Sequence, residues 1–237
     1  MKASSSKHPV PLEDCRHRIL IVDDHPIFRK GIAMLLEHED DIIICGETET
    51  ASEALGLVER HEFDLVIADI SLRDINGIEL VKSLKVLKPH LPVLVLSMHD
   101  ESLYAERALR AGARGYLMKQ APPDQVVAAI RHVLSGELYL SAAANLLMLN
   151  SFVTGRESNS KSSVEKLSDR ELEIFELLGQ GRGTSMIAHD LRLSVKTVEA
   201  HRSHIKTKLG IHTAQVWLDQ VQGDHHAQVV EHARSEE

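Results

Sequence analysis

The chain has 237 residues, enough for one large domain or two small ones, and 43% of them are hydrophobic. No run approaches the apolar length of a membrane span, Met1 to Cys15 is polar and lacks a secretory core, and the two cysteines, Cys15 and Cys45, build no disulfide framework, so a reducing cytoplasm is expected. Net charge is −8, from 27 basic and 35 acidic residues, which excludes a generally basic nucleic-acid coat but not a local basic surface.

From Arg18 to about Leu138, short apolar runs alternate with amphipathic stretches. The runs Ile19 to Val22, Ile42 to Cys45, Leu65 to Ala68, Val93 to Leu96 and Gly115 to Met118 read as strands. Ile27 to Leu36, Ala51 to Arg60, Ile78 to Leu87, Leu103 to Ala111 and Pro123 to Leu134 read as helices. This alternation predicts an α/β doubly wound, five-stranded parallel sheet with helices on both faces. Right-handed crossovers leave only a few strand orders.

The rhythm breaks at Ser141. Ala142 to Leu149 reads as a short helix, and Asn150 to Ser163, rich in Ser, Asn, Thr and Gly, reads as a mobile linker. From Leu167 to Gln222 the pattern is helical. Ser168-Asp169-Arg170-Glu171 is a capping box, with Leu167 and Leu172 placed as a staple. Gly179 to Gly183 ends that helix, and Thr184 is placed to cap a second through Leu191. Ser194 caps a third, Val195 to Leu209, which Gly210 stops. Thr213 to Val221 reads as a fourth. The division expected is 17–138, a linker 139–164, a second, all-α domain 165–222 and a polar tail 223–237. The tail histidines His225, His226 and His232 read as solvated rather than as ligands.

In a doubly wound sheet, ligands sit at the carboxyl ends of the strands. Those ends carry Asp23 and Asp24, then Asp69, then Ser97, then Lys119. A flavodoxin-like order would bring the carboxylates of the first and third strands together. Like charges at close range oppose ionisation, and a hard divalent cation such as Mg²⁺ relieves that. Lys119 adds a compact positive charge. This set suits phosphoryl transfer to an Asp nucleophile, which needs positioning and charge neutralisation. Any one of these residues alone would be a cap, a turn or a solvated lysine; the ordered set is what carries the reading.

Ile19-Leu20-Ile21-Val22-Asp23-Asp24, Asp69, Leu96-Ser97 and Gly115-Tyr116-Leu117-Met118-Lys119 resemble the receiver domain of response regulators, over about 120 residues. The resemblance implies that Asp69 is the phosphoacceptor. It implies that Asp23, Asp24 and Asp69 bind Mg²⁺ with the carbonyl of Ser71. Ser97 would hydrogen-bond the phosphoryl group, Lys119 would pair with it, and Tyr116 would turn inward as the switch when Ser97 moves. The chain departs from the family where Pro and Gly are usual: here stand Arg73 and Asp74, which is expected to leave the loop less constrained. His99, two residues past Ser97, stands where the family tunes hydrolysis.

Two short helices joined by a tight turn, the second long and capped, describe a helix-turn-helix. Arg192, Lys196, Arg202, Lys206 and Lys208 against Glu199 alone make this stretch basic within an acidic chain. Val198, Ile205 and Leu209 are expected to pack inward, with Lys196, Glu199, Ala200 and Ser203 outward. Leu167 to Ile211 resembles the LuxR-type helix-turn-helix of the NarL/FixJ family. The resemblance rests on Leu167-Ser-Asp-Arg-Glu171, Gly179 to Gly181, Ile187-Ala188, Leu191, Leu193-Ser194, Thr197-Val198, His201, Ile205 and Lys208-Leu209-Gly210. It implies that Glu199, Ala200 and Ser203 face bases of double-stranded DNA, while Lys196, Arg202, Lys206 and Lys208 contact phosphates. Thr184, Ser185 and Met186 replace more polar family residues, which bears on DNA affinity rather than fold.

Together these resemblances imply a two-component response regulator, phosphorylated by a sensor histidine kinase or a small phosphodonor and dimerising when activated. Two recognition helices would then lie about 34–36 Å apart on one DNA face. Thr213 to Val221, with Val216, Trp217 and Val221, is a candidate dimer surface; Trp217 reads equally as part of the domain core. An enzyme of the phosphoaspartate phosphatase class would need a second Asp two residues after the nucleophile; that position is Ser71, so no enzyme activity is expected. A receiver used only for protein–protein signalling would lack a reason for the helix-turn-helix pattern. A regulator that works without phosphorylation is separated from this reading only by an Asp69→Asn chain.

Overall fold

The structure, a computed structural model, describes residues 16–153 and 163–210. The first half alternates β1 (His17–Val22), α1 (Pro26–Leu36), β2 (Ile42–Thr48), α2 (Ala51–Arg60), β3 (Leu65–Ala68), α3 (Gly77–Leu87), β4 (Val93–Ser97), α4 (Glu101–Ala111), β5 (Gly115–Met118) and α5 (Pro123–Leu134). The five strands form one sheet in the order β2-β1-β3-β4-β5, and every adjacent pair is parallel.

Alternation along the strands divides the core into two layers. Leu20 and Val22 of β1 face Ala54, Val58, Leu80 and Ala108 from α2, α3 and α4. Ile19 and Ile21 face Ile32, Ala129 and Ile130 from α1 and α5. The inner strands β3 and β4 are buried throughout, which is why they read as unbroken apolar runs. The edge strand β2 runs past Cys45 to Thr48, because its pairing with β1 resumes after a register shift between Ile19 and Leu20. Edge exposure had hidden this extension behind the polar residues Gly46 to Thr48.

Next come α6 (Ala142–Val153) and a 3₁₀ turn, Ser163–Lys166. The second half is α7 (Asp169–Gly179), α8 (Thr184–Asp190) and α9 (Val195–Leu209). The capping box forms as the sequence predicts, with Ser168 and Glu171 bonded to each other's backbone. Ser194 caps α9, and Gly210, at φ +69°, ends it in the left-handed region. Two expectations fail: α6 runs on to Val153, into the expected linker, and the N-cap of α8 is Gly183, with Thr184 already inside the helix. The Thr184 hydroxyl instead accepts from Arg202 Nη1 at 2.8 Å, which ties α8 to α9. Leu172, Ile174, Phe175, Ile187, Leu191, Val198, Ile205 and Leu209 form the buried centre of this half.

Among the described residues, no helix is long and apolar enough to cross a membrane. Cys15, residues 154–162 of the expected linker, the expected helix Thr213 to Val221 with Trp217, and the polar tail lie outside the described residues.

Candidate phosphoacceptor site and nucleic-acid interface

The strand order reverses at β1, whose neighbours are β2 and β3. That makes the carboxyl ends of β1 and β3 the point where a doubly wound sheet opens a crevice. Val22 pairs with Ala68, so the next residues, Asp23 and Asp69, emerge side by side. Backbone bonds fix both: Asp23 N donates to Thr48 O at 3.0 Å and Asp69 N to Val22 O at 2.9 Å. Lys119 leaves the end of β5, where its own N–H donates to Ser97 O at 2.8 Å. Its ammonium reaches 2.6 Å from Asp23 Oδ2 and 2.8 Å from Asp69 Oδ2. The Phe28 ring stands 4.5 Å from that ammonium and covers it.

Asp23 and Asp69 are buried, while Asp24 is partly open. Burial pushes the Asp69 carboxyl above its usual pKa, against the pull of Lys119. Burial likewise raises Asp24, against the pull of His25. Two carboxylate oxygens, Asp24 Oδ1 and Asp69 Oδ1, are buried without a hydrogen-bond partner. His25 Nδ1 stands 2.8 Å from Asp24 Oδ1, a close approach without hydrogen-bond geometry. Asp23, Asp24, His25 and Asp69 each offer one ligand atom, and these lie within 4.8 Å of one another. Orphaned oxygens among three clustered acids suit a hard divalent cation, so the residues present fit Mg²⁺.

The other expected residues gather here as well. Ser97 is fully buried at the end of β4, and its Oγ accepts from His99 N at 3.3 Å. Tyr116 is already turned inward, fully buried, and its hydroxyl donates to His99 O at 2.8 Å. The loop after Asp69 is tied down, contrary to the expectation from Arg73 and Asp74. The Asp74 carboxylate accepts from Ala51 N and Ser52 N, each at 2.9 Å, and from Ser52 Oγ at 2.8 Å. It thus caps α2 from outside and is held below the usual carboxylate pKa by those bonds, although burial opposes them. Arg73 pairs with Glu49 and reaches Asp24. Gly77 opens α3 under this loop; a Cβ there would stand 1.9 Å from Asp69 O.

Sequence reasoning missed what covers the site. From the second half, Glu173 of α7 is buried against Ser71 Oγ at 3.3 Å and Asn76 Nδ2 at 3.2 Å. Glu176 Oε2 lies 2.7 Å from His99 Nδ1 and accepts from the Tyr104 hydroxyl at 3.1 Å. His99 Nε2 is 2.9 Å from Ser71 Oγ, so both imidazole nitrogens are engaged. Arg107 donates to Leu167 O at 2.8 Å, Val164 O at 3.1 Å and Asp169 Oδ1 at 3.1 Å. Lys82 also reaches Asp169, at 3.1 Å. Nothing in the sequence pattern of α7 marked Glu173 or Glu176. Only the fold reveals that their face is covered.

The α9 surface behaves as its periodicity suggests. Val198, Ile205 and Leu209 are buried, while Lys196, Glu199, Ala200, Ser203 and Lys206 are exposed. Arg202 is half-buried and divides its donors between Thr184 and Glu199. Lys208 turns to the buried Glu171, at 2.6 Å.

Comparison with known proteins agrees with this layout. Residues 19–131 match the family described as response regulator receiver domain, and residues 165–219 match bacterial regulatory proteins, luxR family. The chain is 37% identical over 199 residues to oxygen regulatory protein NreC of Staphylococcus carnosus, covering 82% of this chain and 91% of that one. The NreC of Staphylococcus haemolyticus is 36% identical over 198 residues, with the same coverage. A LuxR-family two-component response regulator from Aurantimonas is similar at TM-score 0.55 and 32% identity, over 58% of this chain and 99% of that one. RcsB from Salmonella enterica serovar Typhimurium, bound to promoter P1flhDC in the presence of phosphomimetic BeF3⁻, is similar at TM-score 0.59 and 26% identity, over 88% and 99%.

Proposed function

Because the chain belongs to the response regulators that join a receiver domain to a luxR-type DNA-binding domain, we propose that Asp69 accepts a phosphoryl group that controls transcription through α9. The observation that carries this is the meeting of Asp23, Asp24, Asp69 and Lys119 at one sheet edge. The unpartnered Asp69 Oδ1 forms the bond to phosphorus, and the bond from phosphorus to the donor nitrogen or oxygen breaks. Lys119 holds Asp69 Oδ2 and is placed to balance charge on the phosphoryl oxygens. Mg²⁺, held by Asp23, Asp24, Asp69 and the Ser71 carbonyl, would neutralise further charge there. Ser97 is the hydroxyl donor to the phosphoryl group, and Tyr116 the aromatic that follows it. The donor is a sensor histidine kinase or a small phosphodonor.

Residues 17–138 form the receiver unit in this reading, 139–164 the connection and 165–222 the DNA-binding unit. Glu199, Ala200 and Ser203 read bases, while Lys196, Arg202 and Lys206 contact phosphates. Lys208 joins them only if it leaves Glu171. A new phosphoryl charge beside Glu173 and Glu176 disfavours the covering contact by like-charge repulsion. Release of α7 is therefore the step that couples Asp69 to dimerisation and DNA binding. The protein works in the cytoplasm, where kinase and DNA are both in reach.

The test is incubation with acetyl phosphate and Mg²⁺, followed by intact mass, oligomeric state and DNA selection. The native chain should gain one phosphoryl group and change its oligomeric state and DNA binding. Asp69→Asn should do none of these. Equal labelling of the Asp69→Asn chain would overturn the assignment.

A further inference from the structure

Glu171, His201 and His204 form a second cluster of metal-ligating side chains, in the DNA-binding half and apart from the carboxylates at the sheet edge. Each offers one ligand atom, and these lie within 4.8 Å of one another. His201 and His204 stand three residues apart, so they share one face of α9. Glu171 faces them from the first turn of α7, where it is buried.

The two Glu171 oxygens have different tasks. Oε2 accepts from Ser168 N at 2.8 Å and Lys208 Nζ at 2.6 Å. Oε1 points toward α9 and lies 3.8 Å from His204 Nδ1. On His201, Nδ1 is buried without any hydrogen-bond partner. A buried imidazole nitrogen left unpaired carries a desolvation cost that an ion bound at that nitrogen would offset.

We propose that Glu171 Oε1, His201 and His204 bind a divalent transition-metal ion of the zinc class. Two imidazoles and one carboxylate are a donor set that Zn²⁺ accepts, with a fourth position left to water. Mg²⁺ prefers an all-oxygen shell, so the two sites of the chain select different cations. Ligands bound at about 2.0–2.2 Å stand roughly 3.4 Å apart around a tetrahedral ion. The exposed His204 ring has the freedom to make that adjustment. Lys208 keeps the opposite oxygen, and its charge sets a ceiling on affinity. An ion here would staple the start of α7 to the recognition helix. Since Glu173 and Glu176 lie on α7, the ion would also bias the contact that α7 makes with Ser71, Asn76 and His99.

The test uses the full chain with excess Mg²⁺, which occupies the oxygen site. The tail histidines His225, His226 and His232 are replaced by Gln, and a parallel chain carries His25→Gln. Co²⁺ absorption and the Zn²⁺-induced thermal shift are the readouts. One equivalent should bind in both backgrounds and in Asp69→Asn, which separates this site from phosphorylation. His204→Gln, at an exposed position, should leave the melting curve of the metal-free chain unchanged. It should weaken binding by more than about tenfold, since even ligand-orienting partners are worth that much. Equal Zn²⁺ affinity in the His204→Gln chain, or the absence of a low-coordinate Co²⁺ spectrum, would overturn the proposal.

Discussion

The Glu176 carboxylate lies 2.7 Å from His99 Nδ1, joining a helix of the DNA-binding half to the loop that follows Ser97. Both groups are largely buried. Burial works against a charged imidazole, but the bond and charge of Glu176 outweigh it and hold His99 above the ordinary histidine pKa. The contact therefore makes one assembly of the acceptor loop and the output helix. We expect Glu176→Gln to loosen it by about 1.5 kcal/mol, the low end for a hydrogen bond to a charged group. That is roughly a tenfold rise in the open population. Faster labelling by acetyl phosphate and a larger radius in small-angle scattering should follow. Unchanged values for both would mean that the contact does not govern access.

Asp24 has an oxygen with no hydrogen-bond partner, so its replacement by Asn leaves few internal bonds to lose. Asp24→Asn should fold normally yet need at least about tenfold more Mg²⁺ for half-maximal labelling, because a hard cation loses a charged ligand. EDTA should abolish labelling of the native chain. A titration in Mg²⁺ that superimposes for both chains would remove Asp24 from the cation's ligands.

Asp74 closes the amino end of α2 with three hydrogen bonds. Asp74→Ala should lower receiver stability by about 1 kcal/mol, the usual worth of such a cap. The sign with pH follows from its depressed pKa. The contribution is complete above the unfolded Asp value and disappears as pH falls through the lower folded value. Native and variant melting curves should therefore differ at neutral pH and converge in strong acid.

Glu199 and Lys206 are both exposed on α9, and their expected roles separate in a binding assay. Glu199→Ala should relax base preference at one position, by about 1–3 kcal/mol. Lys206→Ala should weaken all sequences alike and lower the salt slope by about one. A Lys206→Ala chain with altered sequence choice and an unchanged salt slope would reverse that division of labour.

The sheet was legible because buried parallel strands leave short apolar runs, and because Asp23, Asp69, Ser97 and Lys119 each sit one step beyond such a run. The strand order then converts four separate positions into one crevice. Bonds made by side chains distant in sequence had no such signature. Asp74 on α2, Thr184 on Arg202 and Glu173 on Asn76 all join residues 18 or more apart. Local pattern assigned Asp74 to a loop and Thr184 to a cap, and gave Glu173 no role at all. His25 escaped notice because a histidine after two acids carries no periodicity, although it stands against all three carboxylates.

Gly77 gives the acceptor loop an unequal tolerance for change. At its tip, replacing Arg73 or Asp74 loses bonds to Glu49 and to the start of α2 but meets no main-chain collision. At its base, anything bulkier than hydrogen collides with the main chain of Asp69 itself. The base of the loop under Asp69 is thus fixed by main-chain packing, while its tip is held by side-chain and helix-end bonds.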